Sequence, residues 1–229
     1  MWGHAGVNNG DPLTVERVRT PGGNPAMFVC RQGVSDRQII RNVCENDEYG
    51  VGAVSLTTMD GWAIDIGAHI GGVAVPLAID NPALKVIAVE PVPENARLIR
   101  VNAELNGVRD RVMVVQAIAG EADSVAWGYD GQHHFVANAE TEGATVHGTG
   151  INVTIDTLCA QFRIGHPDVS LLKIDCEGCE WSLIAPSAVS DMPVVVGEFH
   201  GNPADLIARM PRHDFRTDGF TFTATLTPA

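Results

Sequence analysis

From Trp62 to the end of the chain, short apolar runs alternate with segments of helical periodicity, and few folds accept that pattern. Residues 62–66, 86–90, 112–117, 151–154, 169–174 and 194–199 read as strands. Residues 73–79, 94–105, a stretch from Ile155 or Asp156 to Phe162, 178–184 and 203–210 read as the helices between them. Strand and helix in turn make βαβ units, which build a parallel sheet. The last segment, 215–227, contains TFTATLT and alternates with period two, so it reads as a hairpin or as edge strands that close the sheet.

Two stretches stand outside the alternation. Residues 1–61 are turn-rich, with a strand candidate at 26–31 and a helix opening at Ser35 or Asp36 and running to about Glu45. They read as an extension packing on a core domain of 62–229. Within that domain, residues 120–150 are rich in Gly, His and Thr, lack periodicity, and form an excursion too long for an ordinary connection.

The charge balance narrows the partners. Fifteen Lys and Arg against 28 Asp and Glu give a net charge of −13, so a nucleic-acid backbone meets a repulsive surface. The [DN]PP[YF] segment of enzymes that methylate base amino groups is absent: Asn202 and Pro203 are followed by Ala204, with no aromatic residue to stack a flipped base. Lys85 and Lys173 are the two lysines, no cationic amphipathic segment suits a membrane, and no leader is visible at the N-terminus, which together read as cytoplasmic. Five cysteines, an odd number, fit reduced thiols better than a disulfide framework. Cys176 and Cys179 form CEGC, but zinc needs four ligands and no second such pair exists, so both read as inert, partly buried thiols.

The strongest local signal is WAIDIGAHIGG, 62–72: a strand ending at Asp65, a glycine turn, then a helix. That is the nucleotide position of a doubly wound sheet. The dinucleotide pattern GxGxxG maps onto positions 67, 69 and 72, and position 69 is His. A side chain there obstructs a pyrophosphate, and Asp65 would repel it. S-adenosylmethionine carries no phosphate and bears an ammonium and a sulfonium, so this loop favours it over NAD. Glu90 ends the next strand, where an acid accepts ribose hydroxyls in either class of enzyme.

DIGAHIGG, VIAVEPVPENARLIRVNAELNG (86–107), VTIDTLC (153–159), LLKIDCEGCEW (171–181) and VVVGEFHG (194–201), in this order and spacing, resemble the FkbM family of S-adenosylmethionine-dependent methyltransferases. The resemblance implies an α/β class I methyltransferase fold, Rossmann-like, with a seven-stranded, mostly parallel sheet, its last strand antiparallel and helices on both faces. It implies a small-molecule acceptor, usually a hydroxyl of a sugar or a macrocyclic natural product. It assigns Asp65, Gly67 and Gly71 to the cofactor loop, Glu90 to the ribose, and Gln116 and Ala117 to the adenine pocket. His69 stands where the family usually has Asn; its side chain either contacts the cofactor carboxylate or caps the helix start.

Ligands of a doubly wound sheet lie beyond the carboxyl ends of its strands. Asp175, Glu198 and His200 end two strands expected to be neighbours, so the three converge as the catalytic group. His200, with an ordinary pKa near ~6.5, suits removal of a hydroxyl proton, and Glu198 is placed to orient it. The alternative use of Asp175, Glu198 and His200 is to bind Mg2+, which would acidify a vicinal diol. The excursion either closes over the acceptor as a lid bearing His133, His134 and His147, or is an exposed β segment whose histidines do nothing. Glu177 and Glu180 near a helix start favour its dipole. Tyr49 and Thr57 or Thr58, just before the first core strand, are candidates to reach the cofactor, a choice that the sequence leaves open. The leading reading is O-methylation of a sugar or glycoside hydroxyl. Competing readings are N-methylation of an amino sugar, O-methylation of a macrocycle, an NAD oxidoreductase, and a binding protein without turnover. A homo-oligomer is compatible with the sequence.

Overall fold

The computed structural model describes residues 12–55, 59–120, 125–129, 134–138, 151–176, 180–184 and 189–227; for 54–55, 125–129 and 134–138 it describes the backbone alone. Strands β1 (Leu13–Arg19) and β2 (Pro25–Arg31) form an antiparallel hairpin, followed by helices α1 (Asp36–Glu45) and α2 (Val51–Ser55). The expected alternation then runs β3 (Trp62–Ile66), α3 (Ala74–Asp80), β4 (Lys85–Val89), α4 (Pro93–Leu105) and β5 (Val112–Val115). After the excursion come α5 (Ile155–Phe162), β10 (Val169–Ile174), α6 (Glu180–Leu183), β11 (Val194–Glu198), α7 (Pro203–Arg209), β12 (His213–Asp218) and β13 (Thr221–Leu226).

Seven strands form one sheet in the order β5-β4-β3-β10-β11-β13-β12. Chain order reverses between β3 and β10, the switch point at which such sheets bind ligands. β13 runs antiparallel to both neighbours. The expected seven strands and antiparallel last strand are therefore observed, but β13 lies inside the sheet and β12 takes the edge. The segment at 151–154 is not a strand of this sheet: β9 (Asn152–Val153) pairs with β6 (Ile118–Ala119) in a separate two-stranded piece. Of the excursion, the described backbone is an antiparallel pair, β7 (Val125–Tyr129) and β8 (His134–Asn138). No described helix is long and apolar enough to cross a membrane.

Alternation along the strands divides the core into two layers. Ala63, Val86, Ala88, Leu171 and Val196 face one cluster, together with α3, α4 and the N-terminal elements. Ile64, Ile87, Val89, Leu172 and Val195 face the other, with α5, α6 and α7. The N-terminal segment belongs to the first: Phe28, Ile40 and Val43 are buried with Ile70, Leu77 and Ile99. Its β2 is stitched to α4 by amide side chains. Asn106 receives the Met27 N–H at 2.9 Å and donates to the Met27 carbonyl at 2.7 Å, and Asn102 receives the Val29 N–H at 2.7 Å. Asn102 also donates to Ile70 O at 2.9 Å, tying the same helix to the glycine turn.

Gly67 is required by a neighbour. Its φ is +73°, and a Cβ there would stand 1.7 Å from the backbone oxygen of Asp175. Replacing it with alanine, Gly67→Ala, should cost at least about 3 kcal/mol in urea denaturation, since both the left-handed backbone and the contact with a rigid strand end resist relief.

Candidate functional site at the carboxyl edge of the sheet

In the register of β3 and β10, Asp65 lies opposite Lys173. Both occupy positions that alternation assigns to the layer covered by the N-terminal segment, and Asp65 is wholly buried with Lys173 3% exposed. The ammonium is 3.2 Å from Asp65 Oδ1 and 3.7 Å from Asp175 Oδ2, and it donates to the carbonyls of Gly67 at 2.7 Å and Ile66 at 3.1 Å. Burial alone would lower the lysine pKa, but Asp65 and Asp175 outweigh it and hold the group charged. Asp65 spends its other oxygen on the N–H of Ala74 at 3.0 Å, at the start of α3. The carboxylate expected in the cofactor loop is thus a buried clamp between strand and helix.

Tyr49 arrives from the N-terminal segment. Its hydroxyl donates to Asp175 Oδ2 at 2.6 Å, and its ring lies 5.3 Å from the Lys173 ammonium. Burial and the Asp175 charge push the phenol well above its ordinary pKa, so it stays a donor. The carboxylate of Glu198 also acts on it electrostatically. Glu48 is half-buried, and burial and Asp175 push its carboxyl up. Tyr49 therefore reaches the strand end beside the cofactor turn.

At the other side of the turn the buried side chains of Arg31, Asp36, Glu90 and Asn95 close a ring through the partly exposed His69. Glu90, 4% exposed, accepts the His69 N–H on Oε2 at 2.8 Å, and the Val92 N–H at 3.0 Å and Asn95 Nδ2 at 3.2 Å on Oε1. His69 Nε2 is 3.2 Å from Asp36 Oδ1. Asp36 receives Arg31 in a fork, Nε at 3.0 Å and Nη2 at 2.8 Å, together with the Arg31 backbone N–H at 2.8 Å. Arg31 Nη2 then donates to Asn95 Oδ1 at 2.7 Å and returns the ring to Glu90. His69 has φ +51°, a left-handed conformation that Asn adopts more readily than His, which accounts for the residue usual at this position. Its imidazole neither caps a helix nor stands free: it faces the N-terminal helix.

Gly71, φ +94°, sits against Val75 and Ile99 at the end of the turn. β5 stops at Val115 rather than at 117, so Gln116, exposed, and Ala117, buried, follow the strand instead of ending it. His133 and His147 lie outside the described residues, as do Thr57, Thr58 and Glu177, and of His134 only the backbone in β8 is described.

The residues expected to converge, Asp175, Glu198 and His200, each meet a neighbour that the sequence did not pair with them. Asp175 turns to Tyr49, with Glu198 acting on the same phenol. His200 turns to Glu180: Glu180 Oε1 lies 3.2 Å from His200 Nδ1 and accepts the His200 N–H at 3.0 Å. Trp181 Nε1 donates to the His200 carbonyl at 2.9 Å. Glu180 is 1% exposed while the imidazole is 44% exposed, so a buried acid on α6 meets Nδ1 of the ring. Among the described residues, no three His, Cys, Asp or Glu side chains are placed to hold a metal, so the Mg2+ reading finds no support there. The physical reason is that a cation, Lys173, already stands beside Asp175, while His200 is committed elsewhere. Cys176 is disulfide-bonded, which corrects its reading as a thiol; a count of cysteines speaks to frameworks of bridges, not to one bridge. Cys30, Cys44 and Cys159 are buried free thiols, and burial pushes the first two up to about 12.

Burial would raise the Asp36 carboxyl, but His69 and Arg31 outweigh it and hold it well below the usual carboxylate range. Its stabilisation is therefore full above the unfolded value of ~3.9 and is lost as pH falls below it. Urea denaturation at successive pH values should show wild type losing stability more steeply than Asp36→Asn below about pH 4.

The residues around the turn suit S-adenosylmethionine: the strand ends are anionic, and position 69, where a dinucleotide loop keeps glycine for close backbone approach, carries a histidine. Residues 65–217 match the model of the methyltransferase FkbM domain. None of the curated proteins compared with this sequence matches it. Similar solved structures include the precorrin-6y C5,15-methyltransferase of Geobacter metallireducens, at 18% identity and a TM-score of 0.45, covering 80% of this chain and 97% of that one. An O-methyltransferase from Bacillus cereus in complex with SAH is 16% identical with a TM-score of 0.44, covering 72% of this chain and 74% of that one. The 16S rRNA N2 G1207 methyltransferase RsmC of T. thermophilus is 12% identical with a TM-score of 0.49, covering 94% of this chain and 51% of that one. With well over half of its residues matched, the chain belongs to the FkbM methyltransferase family: it is an S-adenosylmethionine-dependent methyltransferase of class I α/β fold.

Proposed function

We propose that the chain is an O-methyltransferase whose acceptor is a hydroxyl of a small molecule, a sugar or glycoside. The observation that carries this reading is the His200–Glu180 pair beyond β11. A buried carboxylate against Nδ1 favours the tautomer with its proton on that nitrogen, which leaves Nε2 of a half-exposed ring with a lone pair. Such a nitrogen can take the proton of an alcohol as it becomes a nucleophile. S-adenosylmethionine, when bound, supplies an electrophilic methyl group on a sulfonium. Glu90 would hold the ribose hydroxyls, and Gln116 and Ala117 would flank the adenine. Asp175, presented by Tyr49, would accept a neighbouring hydroxyl of the acceptor and so orient it.

One observation favours a second reading. Tyr49 bonds Asp175 and feels the charges of Glu48 and Glu198, and acids gathered near one strand end attract a protonated amine, which supports N-methylation of an amino sugar. A nucleic-acid acceptor is disfavoured by the net charge of −13.

The test is methyl incorporation from S-adenosylmethionine into neutral glycosides, amino sugars, macrocyclic aglycones and RNA, each offered separately. The O-methyltransferase reading expects glycosides to be labelled on oxygen, and labelling of RNA alone would overturn it. With the labelled acceptor, His200→Ala should lower kcat about 100-fold and Glu180→Gln by about tenfold, with the KM for S-adenosylmethionine unchanged.

A further inference from the structure

We propose that Arg31 and Asp36, which lie before the family-matched span of 65–217, are positioning residues for the cofactor, acting through the ring that joins them to His69, Asn95 and Glu90. The inference rests on the reading of Glu90 as the acid that holds the ribose.

Every edge of the ring is a direct contact. Cutting it at Asp36 releases the His69 imidazole, and cutting it at Asn95 removes the Arg31 connection and a donor to Glu90. The two oxygens of Glu90 are held on opposite sides, Oε2 by the His69 N–H and Oε1 by Val92 and Asn95. His69 is itself gripped twice, through its backbone N–H and through its ring, at a φ of +51° that a histidine seldom adopts unaided. The direction of the Glu90 carboxylate and the path of the turn are thus set jointly by residues of the N-terminal segment.

Docking of that segment does not need the ring. Phe28, Ile40 and Val43 bury apolar surface against the core, Asn102 and Asn106 bond the β2 backbone, and Glu16 binds Arg37 at 2.9 Å and also Arg41, joining β1 to α1. Apolar residues in place of a buried ion pair would dock as well without its desolvation cost. What the charged fork adds is direction: a guanidinium binds a carboxylate in one plane and leaves a further N–H for Asn95.

The experiment is calorimetric titration of the full chain with S-adenosylhomocysteine, alongside thermal unfolding of the unliganded protein. Asp36→Asn and Asn95→Ala should each weaken binding about tenfold, and the double variant should bind within about twofold of the weaker single, because both cut one ring. Glu16→Gln, which loosens the same segment outside the ring, should lower the unfolding temperature yet bind within about twofold of wild type. If Asp36→Asn does not fold, Asn95→Ala carries the test, since it leaves Arg31, Asp36 and His69 together. Binding within about twofold of wild type for Asn95→Ala, or loss with Glu16→Gln as large as with Asn95→Ala, overturns the proposal. Glu90→Gln separates the two levels: unchanged affinity there removes the ribose reading and the inference with it, whereas weakened affinity with an unaffected Asn95→Ala removes the inference alone.

Discussion

The buried ammonium of Lys173 is the interaction on which this structure turns. It stands where sheet alternation calls for an apolar side chain, and it is satisfied by two carboxylates and two backbone carbonyls. Those carbonyls end β3 and open the glycine turn, so one cation fixes the start of that loop, the strand end that carries Asp175, and, through Asp65, the first turn of α3. Tyr49 covers it from the N-terminal segment. A charge this deep is tolerable only when paired and hydrogen-bonded, and here the pairing residues are the ones that shape the site.

The N-terminal segment is accordingly more than a cover. It supplies Tyr49 to one side of the turn and Asp36 with Arg31 to the other. Both contacts are polar and directional, whereas the apolar contacts of Phe28 and Ile40 fix only distance and burial. An acidic chain gains from this arrangement, because Arg31 and Lys173 offset locally the repulsion among the carboxylates gathered at the strand ends.

Much of the architecture is legible in the residues, and the reasons are local. β3, α5 and β10 lie at 62–66, 155–162 and 169–174 as the periodicity predicts, because each is a compact apolar run with clear turn chemistry at its ends. β1 escapes notice because LTVERVR sets charges among its apolar residues and half of it faces solvent. The placing of β13 inside the sheet depends on which neighbour it pairs with, and alternation alone says only that it is a strand. In the site, Asp65, Gly67 and Glu90 are visible from their strand-end positions. Glu180 is not, because a carboxylate at a helix start already has a local explanation in the helix dipole, and its approach to His200 spans 20 positions and two elements. The same holds for Asp36, whose place at the head of α1 conceals its contact with a turn more than thirty residues away.

The interior place of β13 bears on how the molecule is made. β11 pairs with β13 on one side, and β12, earlier in the chain, reaches the sheet only through β13. A ribosome releasing this chain from its N-terminus therefore delivers β12 before there is a strand for it to join, and the apolar edge of β11 stays open until residues 221–226 emerge. Phe222 and Ala224, both buried, enter the core only with that strand. Completion of the sheet therefore waits for residues 221–226 rather than for the domain's first half, and the β11–β13 pairing joins segments some distance apart in sequence, the kind that form slowly.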